Sequence, residues 1–388
     1  MRVVIVTLDN HLTGAIARLS GKLAREIPGL SLTVHAASNW NAQPAALEEC
    51  RQEIARGDII IATMLFMEDH IQAVMPALVA RRDGCDAMVS FMSAGEVIKL
   101  TKLGRFSMNG SQGTIVSLLK KLRGTKTNDA TERASAGAKQ LAMLKRIPKI
   151  LRFIPGSAQD VRAYFLAMQY WLAGSEDNIG HLVRFLVAKF AEGPRKVLRE
   201  RVVYEAPKSY PEVGVYHPRL PGRMSEACEK LPVPPSAIKG TVGLLLMRSY
   251  VLSGDTAHYD GVIAAFESRG LKVVPAFATG LDQRPAIERF FMKNGMPAVD
   301  ALVSLSGFSL VGGPAYNDAK AAEDILVKLD VPYLAAQPVE FQTLEEWKAS
   351  ERGLHPIETT MMIAIPEIDG ATGAIVFGGR SSADPGER

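Results

Sequence analysis

The sequence contains few of the residues that build metal clusters and disulfide frameworks. It has three cysteines in 388 residues, Cys50, Cys85 and Cys228, and no Cys-x-x-Cys pair. Zinc sites, iron–sulfur sites and disulfide frameworks therefore have no support in the sequence. An odd number of widely separated cysteines is typical of buried thiols that pack as small apolar side chains.

Glycine-rich nucleotide-binding motifs are also missing. The pattern Gly-x-x-x-x-Gly-Lys-Ser/Thr, whose backbone binds the phosphates of ATP, does not occur, and no Gly-x-Gly-x-x-Gly follows the first predicted strand. Gly-x-Ser-x-Gly, the turn that carries the nucleophile of α/β-hydrolases, is absent as well. We therefore expect no P-loop ATP site, no dinucleotide cofactor and no hydrolase nucleophile.

The sequence lacks both a long apolar run and a strong net charge. No stretch approaches the roughly 18–20 apolar residues that span a membrane, and no leader pattern occurs at the N-terminus. The formal net charge is +4 at pH 7, which argues against a dedicated nucleic-acid-binding protein. We expect a soluble cytoplasmic protein with a sizeable core and no transmembrane segment.

Apolar runs of strand length alternate with helical patterns over residues 1–100, and again from residue 239 to residue 388. Each alternation predicts a parallel sheet wrapped by helices. We predict an α/β protein with two Rossmann-like parallel-sheet units, of which the second is incomplete. At its end, Met361–Ile365 and Ala374–Phe377 favour a hairpin around an Asp-Gly turn.

Residues 101–206 differ in character and are predicted as a basic segment and a helical subdomain inserted between the units. Val97–Arg152 holds thirteen Lys or Arg against two acidic residues, which is typical of a solvated surface or of a docking surface for an acidic partner. Aromatic residues are not interleaved with the basic ones, so nucleic acid is not the expected partner. Residues 157–200 have helical patterns, and the proline-rich residues 207–238 are predicted as a linker.

Two segments of the second unit carry most of the candidate chemistry. Residues 249–260 follow the apolar run Val242–Met247, and residues 304–318 follow the apolar run Ala301–Val303. Each segment is rich in glycine, hydroxyl and carboxylate groups before a helical pattern resumes. Because ligands bind at the carboxyl ends of strands in open α/β sheets, we expect these two predicted loops to form one recess.

Several long runs of the sequence match one protein family. They are Asp9-Asn10-His11, residues 85–88, 96–106 and 169–178, and, in the second unit, residues 248–262, 275–278, 280–287, 307–318 and 365–370. In these runs the chain resembles the large (H) subunit of magnesium chelatase, and it is similar more loosely to cobalt chelatase large subunits. The resemblance covers nearly the whole chain, but members of this family are much longer. The chain resembles only their N-terminal part, so we expect it to be a fragment.

The resemblance implies a porphyrin-binding subunit of a ligase that forms nitrogen–metal bonds. In such a complex Mg²⁺ enters protoporphyrin IX during chlorophyll and bacteriochlorophyll biosynthesis. ATP is used by partner subunits, an AAA+ ATPase and an adaptor, and is not bound here, and the product is handed to a downstream methyltransferase. The fragment alone is expected to be inactive. Two alternatives stay open: a non-catalytic docking or porphyrin-delivery module, and a cobalt chelatase subunit acting on a corrin ring.

The implied chemistry requires a base, because two pyrrole protons must leave the ring. Asp255, His258 and Asp260 are the catalytic candidates, since a histidine flanked by carboxylates can accept a proton. An N-cap aspartate and a surface histidine at a helix start would give the same pattern. Mg²⁺ prefers oxygen ligands, but the sequence assigns no metal ligand.

A porphyrin also requires an apolar slot with cationic or N–H groups for its two propionates. Phe308 can stack on a flat ring and Arg284 can bind a propionate, although Arg284 fits a surface ion pair equally well. The glycines after Ser306 can present N–H groups to an anion or form a tight turn with positive φ. Asp9 and His11 follow the first strand, where an Asx turn is the alternative. The candidate ring-binding residues are Tyr259, Ser306, Gly307, Phe308, Ser309, Gly312, Gly313, Tyr316, Arg284, Asp9 and His11.

Overall fold

The computed structural model describes residues 1–8, 10–40, 43–108, 146–233, 237–313 and 316–381, and of residues 316, 373 and 374 the backbone only. The chain forms two compact units, Met1–Ser209 and Tyr210–Arg388. Each unit contains a largely parallel sheet with helices, which confirms the predicted α/β class. The predicted four-part division of the chain stays a prediction. Most of the basic segment, residues 109–145, lies outside the described residues.

The first unit has a six-stranded sheet. Its strands are β1 (Arg2–Thr7), β2 (Ser31–Ala36), β3 (Ile59–Thr63), β4 (Ala87–Phe91), β5 (Lys102–Leu103) and β6 (Phe106–Ser107). The order in the sheet is β2-β1-β3-β4-β5-β6; the first four are parallel, and β5 and β6 add antiparallel pairs at one edge. β3 and β4 are buried at every position, as expected for strands covered on both faces.

The α-helices of the described residues that accompany this sheet include six that pack on it or at its edge. They are α1 (Thr13–Glu26), α2 (Pro44–Arg56), α3 (Glu68–Arg82), α4 (Gly95–Ile98), α5 (Ser157–Ala173) and α6 (Glu176–Phe190). α1, α5 and α6 pack on one face of the sheet, where Val3 and Ile5 lie in one core with Tyr164, Phe165 and Phe185. α2 and α3 cover the other face, which has a core of its own. The predicted helical segment thus shares a core with the first sheet.

The second unit has a seven-stranded sheet. Its strands are β7 (Val213–Tyr216), β8 (Met224–Ser225), β9 (Gly240–Met247), β10 (Leu271–Ala278), β13 (Ala301–Ser304), β16 (Tyr333–Val339) and β17 (Thr372–Gly379). Two small antiparallel pairs lie outside this sheet. They are β11 (Met292–Lys293) with β12 (Met296–Pro297), and β14 (Gly312–Gly313) with β15 (Tyr316–Asn317). The order in the sheet is β17-β16-β13-β9-β10-β7-β8.

The chain order of the parallel strands locates the switch point of this sheet. Five strands of this sheet are parallel, and from one side to the other they lie in the order β10, β9, β13, β16, β17. β9, the first of them in the chain, thus lies between the second, β10, and the third, β13. The connections therefore leave β9 and β13 in opposite directions. Doubly wound sheets bind ligands in the crevice that such a reversal opens at the carboxyl ends of the strands.

The helices of the second unit are α7 (Arg248–Ser253), α8 (Ala257–Glu267), α9 (Arg284–Ala286), α10 (Ala319–Leu329), α11 (Leu344–Ala349), α12 (Pro356–Glu358) and α13 (Ile365–Ile368). A π-helical stretch, Thr359–Ala364, joins the last two. The predicted C-terminal hairpin is wrong. Met361–Ile365 is helical, and β17 runs parallel to β16, because this helical stretch forms the crossover that parallel strands require.

No helix among the described residues is long and apolar enough to cross a membrane.

Candidate functional site

The candidate site lies at the carboxyl ends of β9 and β13, on either side of the switch point. The first predicted loop, residues 249–260, is mostly helical in the structure. α7 begins directly after β9 because Tyr250, Val251 and Leu252 are buried against the core. Gly254, with a φ of 76°, ends α7 in the left-handed conformation, and α8 begins three residues later. The prediction of a polar loop here is therefore wrong. The segment does lie directly after β9, at the carboxyl end of that strand.

His258 and Tyr259 lie in the first turn of α8, inside a cluster of aromatic rings. The His258 ring centroid is 3.9 Å from that of Tyr259 and 5.6 Å from those of Tyr250 and Phe377. His258 is 7% exposed and Tyr259 is 0% exposed. The Tyr259 hydroxyl accepts a hydrogen bond from the Met247 N–H at 3.2 Å. The structure thus makes Tyr259 a core residue that fixes α8 to the end of β9, rather than a residue a bound ring can contact.

Asp260 is directed to the β7–β8 side of the unit. It accepts hydrogen bonds from the Tyr216 hydroxyl at 2.6 Å and from Arg223 at 2.5 Å. Burial, together with the Asp260 carboxylate, raises the pKa of Tyr216 above its ordinary value. Residues two apart on a helix project about 200° apart, so the structure does not bring Asp260 to His258. Asp255 stands in the turn before α8, where its N–H donates to the Tyr250 carbonyl at 3.1 Å.

The second predicted loop is a tight turn of hydroxyl-bearing residues after β13. Ser304 and Ser306 place their hydroxyl oxygens 2.9 Å apart, and both residues are buried. Gly307 has a φ of 69°, and a Cβ at this position would lie 3.2 Å from the Met362 side chain. Both observations agree with a glycine that is required by the turn. Phe308 follows and is half-buried.

The end of this loop packs against the connection that leaves β10. Ser309 is buried and its hydroxyl accepts from the Val311 N–H at 3.2 Å. The Gly312 N–H donates to the Leu281 carbonyl at 2.7 Å, and a Cβ on Gly313 would come within 2.3 Å of Leu281. The Gly312 N–H is therefore used inside the protein and is not offered to an anion, so this part of the prediction is wrong. The side chain of Tyr316, which pairs through its backbone in β15, is outside the described part.

Arg284 is brought to the same rim as Phe308. A backbone bridge between Asp282 and Val311 joins the two connections. Asp282 binds the Arg284 guanidinium at two points, Nε to Oδ1 at 2.9 Å and Nη2 to Oδ2 at 2.6 Å. This contact raises the pKa of Arg284. The structure thus shows the ion pair, and a propionate would have to share the guanidinium with Asp282.

Sequence reasoning missed two carboxyl groups buried at the same end of the sheet. Asp369 is 3% exposed and accepts from the Leu310 N–H at 2.9 Å. Glu358 is 0% exposed and accepts from the N–H groups of Glu340 and Phe341, which follow β16. Burial raises the pKa of both carboxyls. The Asp-Gly pair at 369–370 was the available signal, but it was interpreted as a hairpin turn.

In the first unit, Asp9 is outside the described residues and His11 lies half-buried in the turn before α1. Asn10 between them is buried, and its amide donates to the Ser38 hydroxyl at 2.7 Å and to Asn39 at 3.2 Å. These contacts fix the turn after β1. Across the described ranges, no group of three or more His, Cys, Asp or Glu side chains is placed to hold a metal ion.

Comparison with known families matches the two halves of the chain separately. The sequence model described as CobN/Magnesium Chelatase matches residues 168–388, which is more than half of the chain. The chain belongs to the CobN/magnesium chelatase family. Residues 2–165 match a domain of unknown function, DUF3479. The predicted family is therefore confirmed.

Relatives within the CobN/magnesium chelatase family match nearly the whole chain. The magnesium-chelatase H subunit from Cereibacter sphaeroides is 51% identical over 378 residues, covering 97% of this chain and 31% of the relative. The chloroplastic magnesium-chelatase ChlH subunit from Oryza sativa subsp. indica is 33% identical over 408 residues, covering 98% of this chain and 28% of the relative. The catalytic subunit of cobaltochelatase from Mycobacterium tuberculosis aligns with a TM-score of 0.49 at 16% identity, covering 99% of this chain and 25% of that one. The chain thus spans about 31% of the length of the Cereibacter sphaeroides relative and 28% of that from Oryza sativa.

Proposed function

We propose that the chain is the N-terminal, porphyrin-binding part of a magnesium chelatase large subunit. The complete complex would insert Mg²⁺ into protoporphyrin IX in chlorophyll or bacteriochlorophyll biosynthesis, and both are substrates rather than resident cofactors. AAA+ ATPase and adaptor subunits would hydrolyse ATP, and a methyltransferase would receive the product. The observation that carries the proposal is the 51% identity to a magnesium-chelatase H subunit over 97% of the chain.

The fold supports a ring site at the switch point of the second unit. The two segments that sequence reasoning selected follow β9 and β13, the two strands whose connections diverge. Crevices at this position are the usual ligand sites of doubly wound sheets. We place one edge of the porphyrin against Phe308. This residue is half-buried, and a phenyl ring can stack on a flat apolar surface. Tyr259 would not contact the porphyrin. It would hold the start of α8 in place through its hydrogen bond with Met247.

His258 is the proposed proton acceptor, in a setting that differs from the predicted one. Its neighbours are the rings of Tyr250, Tyr259 and Phe377 rather than two carboxylates. His258 lies buried among these rings, and an unprotonated imidazole nitrogen is the group that would accept a pyrrole proton. Asp260 is excluded from this role by its contacts with Tyr216 and Arg223.

Titration of the 388-residue chain with a water-soluble protoporphyrin analogue tests the ring site. We expect a saturable shift of the Soret band. In Phe308→Ala the dissociation constant should rise about two- to twelvefold, because one aromatic contact contributes roughly 0.5–1.5 kcal/mol. Phe153→Ala is the matched control, since that phenyl ring is 83% exposed and belongs to the first unit. It should bind the analogue as the natural chain does.

Two results would redirect the proposal. No spectral change in a chain with an intact circular dichroism spectrum would contradict the ring site and favour the docking or porphyrin-delivery module. Preferential binding of a corrin over the porphyrin analogue would favour the cobalt chelatase alternative, against which the identity to magnesium-chelatase subunits now argues.

A further inference from the structure

Three large apolar side chains are exposed close together just before α5. Ile150 is 65% exposed, Phe153 is 83% exposed and Ile154 is 47% exposed. Single exposed apolar side chains are ordinary, but a group of them in one place marks an interaction surface. We call these three residues the Phe153 surface.

The turn that carries the Phe153 surface is fixed to the first unit. Residues 146–151 are helical, and on the inner side Ile147 lies in the core that contains Val3 and Ile5. From α5, the Arg162 Nε donates to the Pro148 carbonyl at 3.0 Å. The Gln159 amide of the same helix donates to the Leu151 carbonyl at 2.8 Å. The fold therefore holds this turn in place while its apolar side chains stay exposed.

The charges around the Phe153 surface are all of one sign. Arg146, Lys149 and Arg152 alternate with the apolar residues and are exposed. From residue 133 to residue 159 the sequence contains six Lys or Arg and no Asp or Glu. The first acid on α5, Asp160, already accepts from the Arg105 N–H at 2.9 Å. The surface is thus apolar and positively charged at once.

This combination fits the surface of an anionic lipid bilayer. Apolar side chains enter the boundary between headgroups and acyl chains, and flanking Lys and Arg attract acidic headgroups. A protein partner fits less well, because lysine is depleted in protein interfaces and a protruding phenyl ring would need a pocket of matching shape. A lipid surface needs no such pocket, so it accepts a turn that protrudes.

We propose that the Phe153 surface and its three basic neighbours bind the headgroup region of an anionic lipid bilayer. The contact is peripheral and reversible, because three apolar side chains bury far less apolar area than a spanning helix does. It lies in the first unit and does not depend on ring binding in the second.

Sedimentation with lipid vesicles tests the contact in the complete 388-residue chain. We expect the chain to bind vesicles of phosphatidylcholine with about one quarter phosphatidylglycerol, and to bind phosphatidylcholine alone at least about tenfold more weakly. Phe153→Ala should lower the partition coefficient about fivefold, because the phenyl ring no longer enters the boundary region. Lys149→Gln should lower it about fivefold on the anionic vesicles, since each basic residue near such a surface adds roughly that factor.

Phe66→Ala is the matched control. Phe66 is 54% exposed in the same unit, but its exposed neighbours are the acids Glu68 and Asp69. This variant should bind vesicles as the natural chain does. Because Phe153→Ala is expected to bind the porphyrin analogue normally, a failure of the lipid contact and a failure of the ring site give different results.

Two outcomes would overturn the proposal. Absence of the folded natural chain from the anionic vesicles would favour an acidic protein as the partner of this surface. Equal vesicle affinity of the natural chain, Phe153→Ala and Lys149→Gln would place the lipid contact elsewhere on the molecule. If Phe153→Ala loses its circular dichroism spectrum, Ile150→Ser decides: a threefold or greater loss of vesicle affinity supports the contact, and unchanged affinity overturns it.

Discussion

Glu358 ties two parts of the second unit together through one carboxyl group. It lies on α12 with no exposed surface, and its Oε1 accepts from the backbone N–H groups of Glu340 and Phe341. Its Oε2 has no partner among the described residues. Burial raises the pKa of this carboxyl, and the nearby Glu340 adds to the rise. The contact therefore holds the end of β16, but it does so with a group that resists ionisation.

This raised pKa makes the stability of the fold depend on pH. The folded state holds the Glu358 proton to higher pH than the unfolded state does, so the stability that this group contributes is fully present below the ordinary pKa of a glutamate. It is lost as the pH rises through the raised value. Glu358→Gln keeps an Oε1 acceptor and cannot ionise. We expect the variant to gain free energy of unfolding relative to the natural chain as the pH rises from about 4 to about 8.5.

Urea unfolding at several pH values measures this difference. Glu367→Gln is the control, because Glu367 is exposed on the neighbouring α13, and its difference from the natural chain should stay flat. A flat difference for Glu358→Gln as well would show that the carboxyl titrates normally in the folded chain.

At the scale of the element, the turn between α7 and α8 positions the candidate base. Gly254 has a φ of 76° and a ψ of 13°, a conformation that is costly for any residue with a Cβ. Gly261 lies on the exposed face of α8, and a Cβ there would meet no atom within 4 Å. The same substitution should therefore have opposite effects at the two positions.

We expect Gly254→Ala to lower the free energy of unfolding by about 1 kcal/mol or more. Gly261→Ala should raise it by up to about 1 kcal/mol, because alanine favours a helix interior over glycine. Thermal and urea unfolding of both variants check the pair. Destabilisation by both would mean that α8 tolerates no side chain at its solvent face, and stabilisation by both would mean that the turn does not need a left-handed residue.

The sequence predicted the elements of this fold better than their connections. β9 ends at Met247, as the apolar run Val242–Met247 predicted, and helices alternate with strands in both units. Short apolar runs between helical patterns identify buried parallel strands reliably. β17 was recognised as a strand, but a hairpin and a parallel edge strand share the same residue pattern. Its pairing with β16 depends on long-range packing that one sequence does not show.

The candidate site shows the same limit. Position at a strand end predicted that the regions around His258 and Phe308 flank one crevice, and the strand order supports this. Burial could not be predicted, because Tyr259 has the same polar neighbours in sequence whether it faces a ligand or the core. Asp369 reaches Leu310 only through the crossover between β16 and β17, so no local pattern could have placed it in the site.

At the scale of the whole chain, each large hydrophobic core of the described residues is built from residues of a single unit, and each unit has two such cores. The cores that contain Ile5 and Ile60 are built from residues of Met1–Ser209, and those that contain Leu245 and Leu244 from residues of Tyr210–Arg388. A segment that contains its own core can fold alone. We therefore expect residues 1–209 and 210–388, produced separately, each to give a cooperative urea transition.

Residues 1–100 alone provide the contrasting case, since they carry the first parallel sheet but not α5 and α6. The face that holds Val3 and Ile5 would lose its cover of Tyr164, Phe165 and Phe185. Each large side chain that is uncovered lowers the free energy of unfolding by roughly 1.5–3 kcal/mol. Summed over the side chains of this face, the loss exceeds the total stability of a domain of this size. We expect the 1–100 fragment to lack a cooperative transition and near-ultraviolet dichroism. A cooperative 1–100 fragment would show that the helical segment is a separate subdomain, and a non-cooperative 1–209 fragment would show that the first unit needs the second.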